Sequence, residues 1–237
     1  MADKLTWENI VDILIQEFTE NEYRNDEKMP SENKLAVRFG VTRVEIRKAY
    51  ERLKEMGYIY SMQGYGSFFS GKKEQIRIAM NGSVSFTEKM NQQSLPHETK
   101  NVSFHQIREN PLIYEMLKIN YDIPVYKLTR LRMISQEPAA IHTSYLRGDL
   151  FPDLLEDGKQ ITSLYDYMRT HGFPAPASEN IELSVSTPTK KERTLLNLQG
   201  YASCFVITSR STDTDTGVIL EIARTVYRSD RFIFRVI

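Results

Sequence analysis

Residues 39–50 read FGVTRVEIRKAY, and this short stretch is the most informative one about the structure of the N-terminal region. Gly40 is suited to end one helix, and Thr42 is suited to cap the next. Because Glu45 follows Thr42 by three residues, the pattern Thr-x-x-Glu predicts a capping box at the start of that second helix. The stretch therefore predicts a tight turn between two short helices.

Two arginines lie on the second of these helices. Arg43 and Arg47 are four residues apart and should share one face. Apolar residues at helical spacing predict a separate buried stripe, which comprises Ile46, Tyr50, Leu53 and Met56. Two short helices joined by a glycine turn, with arginines near the start of the second, are the components of a helix-turn-helix.

The flanking segments complete this pattern. Residues 7–18 repeat apolar side chains at helical spacing and predict an amphipathic helix. Proline and serine within 29–33 are suited to begin the next helix. Downstream, strand-like segments at 58–60 and 67–69 surround the glycine-rich turn 62–66, which predicts a hairpin. A hairpin after a helix-turn-helix is typical of a winged helix.

The charge distribution is uneven along the chain. The 237 residues include 31 basic and 31 acidic side chains, so the total charge gives no sign of a nucleic-acid partner. Residues 34–54, however, contain seven basic and two acidic side chains, a local net charge of +5. A charge run alone is more typical of a solvated helix face, but its position on a helix-turn-helix favours a DNA surface.

Composition limits the class of protein. Hydrophobic residues make up 41% and charged residues 26% of the chain, which is typical of a globular protein, and the length predicts two domains. Neither a signal peptide nor a membrane-spanning run is apparent, so we expect a cytoplasmic protein without a membrane partner. The single cysteine, Cys204, excludes an intramolecular disulfide and multi-cysteine metal sites.

The C-terminal part alternates strands and helices and predicts an α+β domain with helices packed on an antiparallel sheet. The strand-like segments are 125–134, 139–146, 180–186, 204–211, 218–228 and 232–237, and the last three should form a meander. Helices are predicted at 86–93, 111–117, 163–170 and 190–198.

Catalytic and cofactor motifs are not recognisable in this half, and we predict no cofactor and no metal. The four histidines are scattered along the sequence. Arg130 and Arg132, two residues apart on a predicted strand, should share one face. They either pair with neighbouring acids or bind an anion, and the pattern does not choose between the two. Glu221 and Tyr227 share parity on a later strand.

The N-terminal residues resemble the DNA-binding domain of GntR-family bacterial transcription regulators. The resemblance rests on Pro30-Ser31-Glu32-Asn33, Leu35-Ala36, Phe39-Gly40-Val41-Thr42-Arg43, Ile46-Arg47, Leu53, Gly57, Ile59 and Gly64-Tyr65-Gly66-Ser67-Phe68. It implies a dimer on a palindromic operator, with Arg43 and Arg47 in the major groove, Thr42 and Asn33 near phosphates, and the wing tip near the minor groove. The implied DNA-binding set is Asn33, Thr42, Arg43, Arg47, Gln63 and Gly64. Glu45 and Tyr50 depart from the usual threonine and leucine.

The C-terminal residues resemble the UTRA effector-binding domain of the HutC-type branch, which is similar to the chorismate lyase fold but binds effectors without turnover. The resemblance rests on Arg130-Leu131-Arg132, Glu137-Pro138, Tyr145-Leu146, Leu150-Phe151-Pro152, Ser163-Leu164-Tyr165, Glu221 and Tyr227-Arg228. It implies a pocket opened by a loop at 83–87 around an anionic group, often a sugar phosphate. The implied effector-binding set is Ser85, Phe86, Thr87, Arg130, Arg132, His142, Ser163, Tyr165, Glu221 and Tyr227. His142 stands where many relatives carry glutamate.

We therefore expect three segments: a winged helix-turn-helix at 1–71, a linker at 72–78, and a UTRA domain for effector binding and dimerisation at 79–237. The leading hypothesis is a repressor that a small anionic metabolite releases from a palindromic operator. One alternative is a lyase-like enzyme with an accessory DNA-binding domain. Another is an effector-independent scaffold on nucleic acid, in which Arg130 and Arg132 pair with acids such as Glu221.

Overall fold

The computed structural model describes residues 5–20, 23–71, 76–80, 82–198 and 202–235. The described residues form two compact units, an N-terminal unit within 5–71 and a C-terminal unit within 76–235. Within the described ranges, no helix is long and apolar enough to cross a membrane.

The N-terminal unit is a winged helix-turn-helix, as predicted. Its elements are α1 (Trp7–Thr19), α2 (Glu32–Phe39), α3 (Arg43–Glu55), β1 (Ile59–Met62) and β2 (Gly66–Phe69). The hairpin strands pair antiparallel. Buried apolar side chains from all three helices form the core, among them Leu14, Leu35, Ile46 and Leu53. This core fixes α3 against α1 and α2.

The turn between α2 and α3 forms for the local reasons that the sequence suggested. Ser31 caps α2 by accepting from the Lys34 backbone N–H at 3.3 Å. Gly40 ends the helix in the left-handed region, at φ 65°. Met56, predicted to be buried, is 40% exposed, because α3 ends at Glu55 and Met56 is its C-cap.

The predicted capping box of α3 is only half present. Thr42 Oγ1 accepts from the Glu45 backbone N–H at 3.4 Å. The Glu45 carboxylate does not return to Thr42: Oε2 accepts from the Trp7 backbone N–H at 3.2 Å, and Oε1 accepts from Lys48 Nζ at 3.3 Å. Because Trp7 is the first residue of α1, the carboxylate stabilises the positive end of that helix dipole. Glu45 therefore joins α3 to the start of α1.

The contact between Glu45 and the start of α1 should contribute to the stability of the N-terminal unit. Replacing Glu45 with glutamine should lower the free energy of unfolding of the N-terminal unit by about 0.5 to 1 kcal/mol, since a charge at a helix N-terminus is lost. Trp7 is the only tryptophan, so its fluorescence during urea unfolding reports on this unit. Glu51→Gln removes an exposed carboxylate from the same helix and is the control. Equal unfolding midpoints for the two variants would contradict the assigned contact.

The C-terminal unit has an α+β fold. A six-stranded antiparallel sheet has the order β4-β5-β6-β9-β8-β7. Its strands are β4 (His97–Gln106), β5 (Val125–Ile134), β6 (Glu137–Arg147), β7 (Pro176–Ser186), β8 (Cys204–Asp213) and β9 (Ile219–Arg228). The helices are α4 (Phe86–Gln92), α5 (Pro111–Leu117), α6 (Leu154–Asp157), α7 (Leu164–Thr170) and α8 (Lys190–Leu195).

The predicted three-strand meander is wrong at its last strand. A separate pair joins β3 (Ile76–Ala79) to β10 (Phe232–Arg235) in parallel, so β10 does not continue the main sheet beside β9. Phe232 is buried, with its ring 4.9 Å from that of Tyr227. Both sides of β9 are already paired, with β6 and with β8, so no position beside it is open to β10. Residues 236 and 237 of the predicted strand lie outside the described residues.

Two strands and one helix were not predicted. Ile76 to Ile78 begin β3, although 72–78 was expected to be a linker, and residues 72–75 lie outside the described residues. The strand β3 is only four residues long, and its partner is about 150 residues away in the sequence, so the local pattern is weak. The edge strand β4 is rich in polar residues, and α6 is a single turn.

Candidate effector site and DNA-reading surface

The two predicted base-reading arginines share a carboxylate. Glu32 Oε2 accepts from Arg43 Nε at 2.8 Å and from Arg47 Nη2 at 3.4 Å. Both arginine side chains are more than half exposed, at 58% and 55%, whereas that of Glu32 is 25% exposed. The two arginines therefore form one group on the exposed surface of α2 and α3. Sequence reasoning did not single out Glu32 for this role.

The other predicted DNA-binding residues are exposed but are not joined to this group. Asn33 lies in the first turn of α2, and Thr42 caps α3. Gln63 and Gly64 lie in the turn between the wing strands. Gly64 has φ 79°, and a side chain at this position would meet no neighbouring atom, so glycine is required only by the backbone conformation. Among the described residues, no hydrogen bond links the wing tip to α3.

A cavity of about 120 Å³ opens in the C-terminal unit. All ten residues predicted to bind the effector line it: Ser85, Phe86, Thr87, Arg130, Arg132, His142, Ser163, Tyr165, Glu221 and Tyr227. They come from β5, β6, β9 and the starts of α4 and α7. The predicted loop at 83–87 is partly helical, because α4 begins at Phe86.

Strand register explains why distant side chains meet here. Arg130 on β5 pairs with His142 on β6, and His142 pairs with Thr225 on β9. Glu221 on β9 pairs with Ser211 on β8. Residues paired across antiparallel strands project from the same face. A row of polar side chains therefore crosses the sheet beneath the cavity.

The two arginines of β5 are buried without an ion pair to a carboxylate within the described part of the chain. Arg130 is 0% exposed and donates from Nη1 to the Thr162 carbonyl at 3.3 Å and from Nη2 to Ser144 Oγ at 3.3 Å. Arg132 donates from Nη1 to the same carbonyl at 3.1 Å and to Thr99 Oγ1. Both Nε atoms are buried and lack a hydrogen-bond partner among the described residues.

Two more groups complete the cationic end of the cavity. The Arg132 guanidinium lies 5.0 Å from the centre of the Phe86 ring, a cation–π contact. Ser163, the N-cap residue of α7, makes no capping hydrogen bond, and its buried Oγ has no partner among the described residues. Buried polar atoms in folded proteins are almost always paired. Arg130, Arg132 and Ser163 therefore bring hydrogen-bond donors to one end of the cavity, which suits a ligand that carries acceptor oxygens.

A carboxylate occupies the other end. Glu221 Oε1 lies 3.1 Å from His142 Nε2, and Glu221 Oε2 accepts from Ser211 Oγ at 3.0 Å. His142 Nδ1 lies 2.7 Å from Thr225 Oγ1. Burial would raise the pKa of Glu221, but the hydrogen bonds from His142 and Ser144 and the charge of Arg130 lower it below its usual value. Burial lowers the pKa of His142 to about 4, so the neutral ring donates from Nε2 to Glu221 and accepts at Nδ1 from Thr225.

A chain of hydroxyl groups continues from this carboxylate. Ser211 Oγ lies 3.3 Å from Ser178 Oγ, which lies 2.8 Å from Tyr165 Oη. Tyr165 Oη donates to the Gly82 carbonyl at 3.1 Å. Ser85 is held by the capping box of α4, where its Oγ accepts from the Glu88 backbone N–H at 3.1 Å. The predicted residues Ser85 and Tyr165 thus also hold the cavity wall together.

The charges at the cavity are predominantly positive. Burial lowers the pKa of Arg132 to about 10 and that of Arg130 well below its usual value, yet a guanidinium stays protonated at neutral pH. Lys89 also lines the cavity, and burial lowers its pKa. Two guanidinium groups, those of Arg130 and Arg132, thus lie at a cavity whose ionised carboxylate is Glu221 and whose His142 is neutral.

The pKa shifts predict how stability depends on pH. The pKa of His142 lies below its ordinary value of 6.5, so the unfolded state takes up a proton first as pH falls. The free energy of unfolding should therefore decrease between pH 6.5 and pH 4, by on the order of 2 kcal/mol. Glu221 adds a further loss below pH 4.5, because its folded pKa is depressed.

Urea unfolding of the full-length protein at pH 7.5 and pH 5, followed by tyrosine fluorescence, measures this dependence, and Trp7 fluorescence identifies the transition of the N-terminal unit. His142→Gln should flatten it, because the variant has no group that titrates there. His105→Gln is the control, since His105 lies on the exposed edge strand β4. An unchanged pH dependence in His142→Gln would contradict the assigned neutral state of His142.

Sequence reasoning missed several residues of the cavity. Lys89, Ser178, Ser209 and Thr225 line it, and Ser144 and Ser211 bind its charged groups. Serines and threonines on strands are common, so their pattern carries no signal for a site. Lys89 follows the capping box of α4, and helical periodicity does not show that it faces a cavity.

Comparison with known proteins agrees with both units. The model for bacterial regulatory proteins of the gntR family matches residues 6–69, and the UTRA domain model matches residues 92–233. The chain belongs to the GntR family and carries a UTRA domain. The UTRA match alone covers more than half of the chain, and relatives along nearly the full length are transcriptional repressors.

Three comparisons show how far the similarity extends. The transcriptional repressor NagR of Bacillus subtilis is 29% identical over 225 residues, which is 95% of this chain and 91% of that protein. The mannosyl-D-glycerate transport/metabolism system repressor MngR of Escherichia coli is 25% identical, covering 100% of this chain and 97% of that protein. The crystal structure of PhnF from Mycobacterium smegmatis shares the fold, with a TM-score of 0.63 and 23% identity over 96% of this chain and 98% of that one.

This GntR regulator is thus a DNA-binding transcription regulator with an effector-binding UTRA domain. The resemblance predicted from its residues is confirmed for the family and for the fold of both units. Its similar proteins are regulators and not enzymes.

Proposed function

We propose that this GntR regulator is a repressor that leaves a palindromic operator when a small anionic metabolite, such as a sugar phosphate, binds the UTRA cavity. The buried pair Arg130 and Arg132 carries the proposal. Both guanidinium groups lie within hydrogen-bond distance of one carbonyl, that of Thr162, and neither is in an ion pair with a carboxylate among the described residues. Such charges are costly in a protein interior unless an anion compensates them.

The paired guanidinium groups of Arg130 and Arg132 support an anionic ligand with several acceptor oxygens. A phosphate monoester carries close to two negative charges at neutral pH and presents three acceptor oxygens. Arginine suits this group because its donors match phosphate geometry. The hydroxyl-rich part of the cavity around Ser178, Ser211 and Tyr165 suits a polyhydroxylated body. A phosphorylated sugar satisfies both ends of the cavity at once.

The relatives support a sugar-related effector. MngR is named for a mannosyl-D-glycerate transport and metabolism system, and similar proteins are named as fructoselysine operon repressors. The cavity chemistry of this chain is compatible with ligands of that general class. Release follows if the effector binds the DNA-incompetent state more tightly, because a ligand shifts an equilibrium only by its differential affinity.

Two further proposals concern the DNA. We expect the protein to bind as a homodimer, since a two-fold symmetric operator matches two copies of the reading surface. Arg43 and Arg47 are proposed to contact bases, with Asn33, Thr42, Gln63 and Gly64 contacting the backbone and the adjacent groove. Their exposure leaves them accessible to DNA.

The test combines a metabolite screen with operator binding. A duplex selected from random DNA by the full-length protein serves as operator, and its binding is followed by fluorescence anisotropy. The thermal midpoint is measured with hexose 6-phosphates, with the unphosphorylated hexoses as matched controls, and with inorganic phosphate. We expect at least one phosphorylated sugar to raise the midpoint and to weaken operator binding about tenfold, a coupling of about 1.4 kcal/mol.

The alternative hypotheses give different results. An enzyme would convert the stabilising sugar phosphate, whereas a repressor leaves it chemically unchanged after incubation. An effector-independent scaffold would show neither stabilisation nor release with any compound of the screen. Stabilisation without weaker operator binding would contradict the proposed release.

A further inference from the structure

One carboxylate on α2 holds both arginines of the DNA-reading helix. Glu32 Oε2 accepts from Arg43 Nε and from Arg47 Nη2, which join two helices across the turn. Burial would raise the pKa of Glu32, but the hydrogen bonds and charges of the two arginines lower it, so the carboxylate is ionised at neutral pH.

The contact leaves the base-reading donors of Arg43 available. Guanine O6 and N7 are bound by two N–H groups of one arginine. Arg43 uses Nε for Glu32, and both its Nη groups have no hydrogen-bond partner among the described residues. A guanidinium held at Nε loses rotational freedom, so less entropy is lost when it binds a base.

The same carboxylate opposes binding to the DNA backbone. It partly neutralises two of the seven basic side chains within residues 34–54, and it brings a negative charge to the surface that would face phosphates. Non-specific affinity depends on cations that neutralise phosphates. A carboxylate at this position therefore lowers affinity for every sequence, and it improves the geometry only where a guanine is in place.

We propose that Glu32 is a positioning residue that determines guanine specificity: it orients Arg43 and Arg47 and suppresses their binding to non-operator DNA. The inference rests on the proposed operator reading by Arg43 and Arg47. It distinguishes Glu32 from a residue that only stabilises the fold. Exposed ion pairs contribute little to folding, typically below about 1 kcal/mol, and Ser31, not Glu32, caps α2.

The experiment compares Glu32→Gln with Glu55→Gln in the full-length protein. Glu55 and Arg52 both lie on α3, and Glu55 accepts from Arg52 Nη1 at 3.1 Å. The control therefore removes an equal charge and breaks an exposed arginine–carboxylate contact of the same kind. Three duplexes are used: the selected operator, the operator with a single guanine replaced by 7-deazaguanine, and a scrambled duplex. The guanine is the one whose replacement weakens wild-type binding most.

We expect Glu32→Gln to gain affinity for non-operator DNA and to lose discrimination for guanine. Glu32→Gln should bind the scrambled duplex about three- to tenfold more tightly at low salt, with a steeper salt dependence. Replacing the guanine with 7-deazaguanine, which lacks N7, should weaken binding of the wild-type protein by about tenfold. The same replacement should weaken binding of the Glu32→Gln variant by less than about threefold. Glu55→Gln should keep the wild-type penalty for 7-deazaguanine. Thermal midpoints of both variants, followed by Trp7 fluorescence, should stay near that of wild type.

Three outcomes would overturn the inference. In the first, Glu32→Gln retains the full penalty for 7-deazaguanine. In the second, both glutamine variants tighten binding to the scrambled duplex equally. In the third, wild type binds selected and scrambled duplexes alike, which would also refute the proposed operator reading. The first two leave that reading intact, so the failure of the inference and of the proposed function are distinguishable.

Discussion

Replacing Arg130 with methionine should abolish the response to a phosphorylated sugar and leave operator binding by the ligand-free protein intact. Arg130 is fully buried at the cavity, and its Nε has no hydrogen-bond partner among the described residues. A hydrogen bond to a charged group is worth about 1.5 to 3 kcal/mol, and a bidentate contact adds a second. The effector should therefore bind at least about tenfold to a hundredfold more weakly.

Methionine suits this position because it is flexible, unbranched and apolar. Replacing a buried charge with an apolar side chain of similar length is often tolerated. The variant should therefore unfold cooperatively, which circular dichroism during heating measures. Its midpoint should no longer rise with the sugar phosphate that stabilises wild type.

Arg210→Met is the matched control for this substitution. Arg210 lies on β8, where its Nε donates to Glu179 Oε1 at 2.9 Å, and it does not line the cavity. This variant also replaces a strand arginine of the same sheet with methionine, but it should keep the ligand response. If Arg130→Met retained the wild-type shift in midpoint, the anion would have to bind elsewhere, and the proposed effector site would be wrong.

Replacing Arg43 with alanine should weaken operator binding by about 1 to 3 kcal/mol, equivalent to about 5- to 150-fold. Operator affinity is expected to fall because alanine lacks the two guanidinium N–H groups with which Arg43 would bind one base. Base preference should relax at one position of each half-site, because the remaining contacts to the backbone do not depend on sequence. Selection from random duplexes followed by anisotropy measures both effects.

The control for this prediction is Arg52→Ala. Arg52 lies in the last turn of the same helix and contacts Glu55. The substitution therefore removes an exposed arginine that is far from the helix N-terminus. It should keep the base preference of wild type. If Arg43→Ala bound the operator as tightly as wild type, the assignment of Arg43 as a base-reading residue would be wrong.

The two units differ in how much of their structure was predictable. In the N-terminal unit, caps, glycine turns and helical periodicity are contiguous signals, and the five predicted elements are all present. In the C-terminal unit, β5 and α5 match their predicted ranges, because apolar strands and a proline-initiated helix are locally distinct. The pairing of β3 with β10 was missed, since the two strands lie near opposite ends of the unit.

The candidate effector site shows the same division. Strand parity placed Arg130 and Arg132 on one face, but it left open whether they pair with acids or bind an anion. The family resemblance supplied the full set of ten residues, and the structure places all of them around one cavity. The absence of an ion pair from Glu221 to either arginine, among the described residues, emerged only from the tertiary arrangement.

The winged helix, the family and the two arginines near the start of α3 can all be read from the amino-acid sequence. The partner of those arginines and the role of Glu45 are visible only in the folded chain. Glu45 was read as a cap of its own helix, and its carboxylate caps α1 instead, 38 residues away. The physical reason is that caps and periodicity act between neighbours in the chain. A carboxylate, in contrast, binds the nearest donor in space, and only the folded arrangement of α1, α2 and α3 brings those donors close.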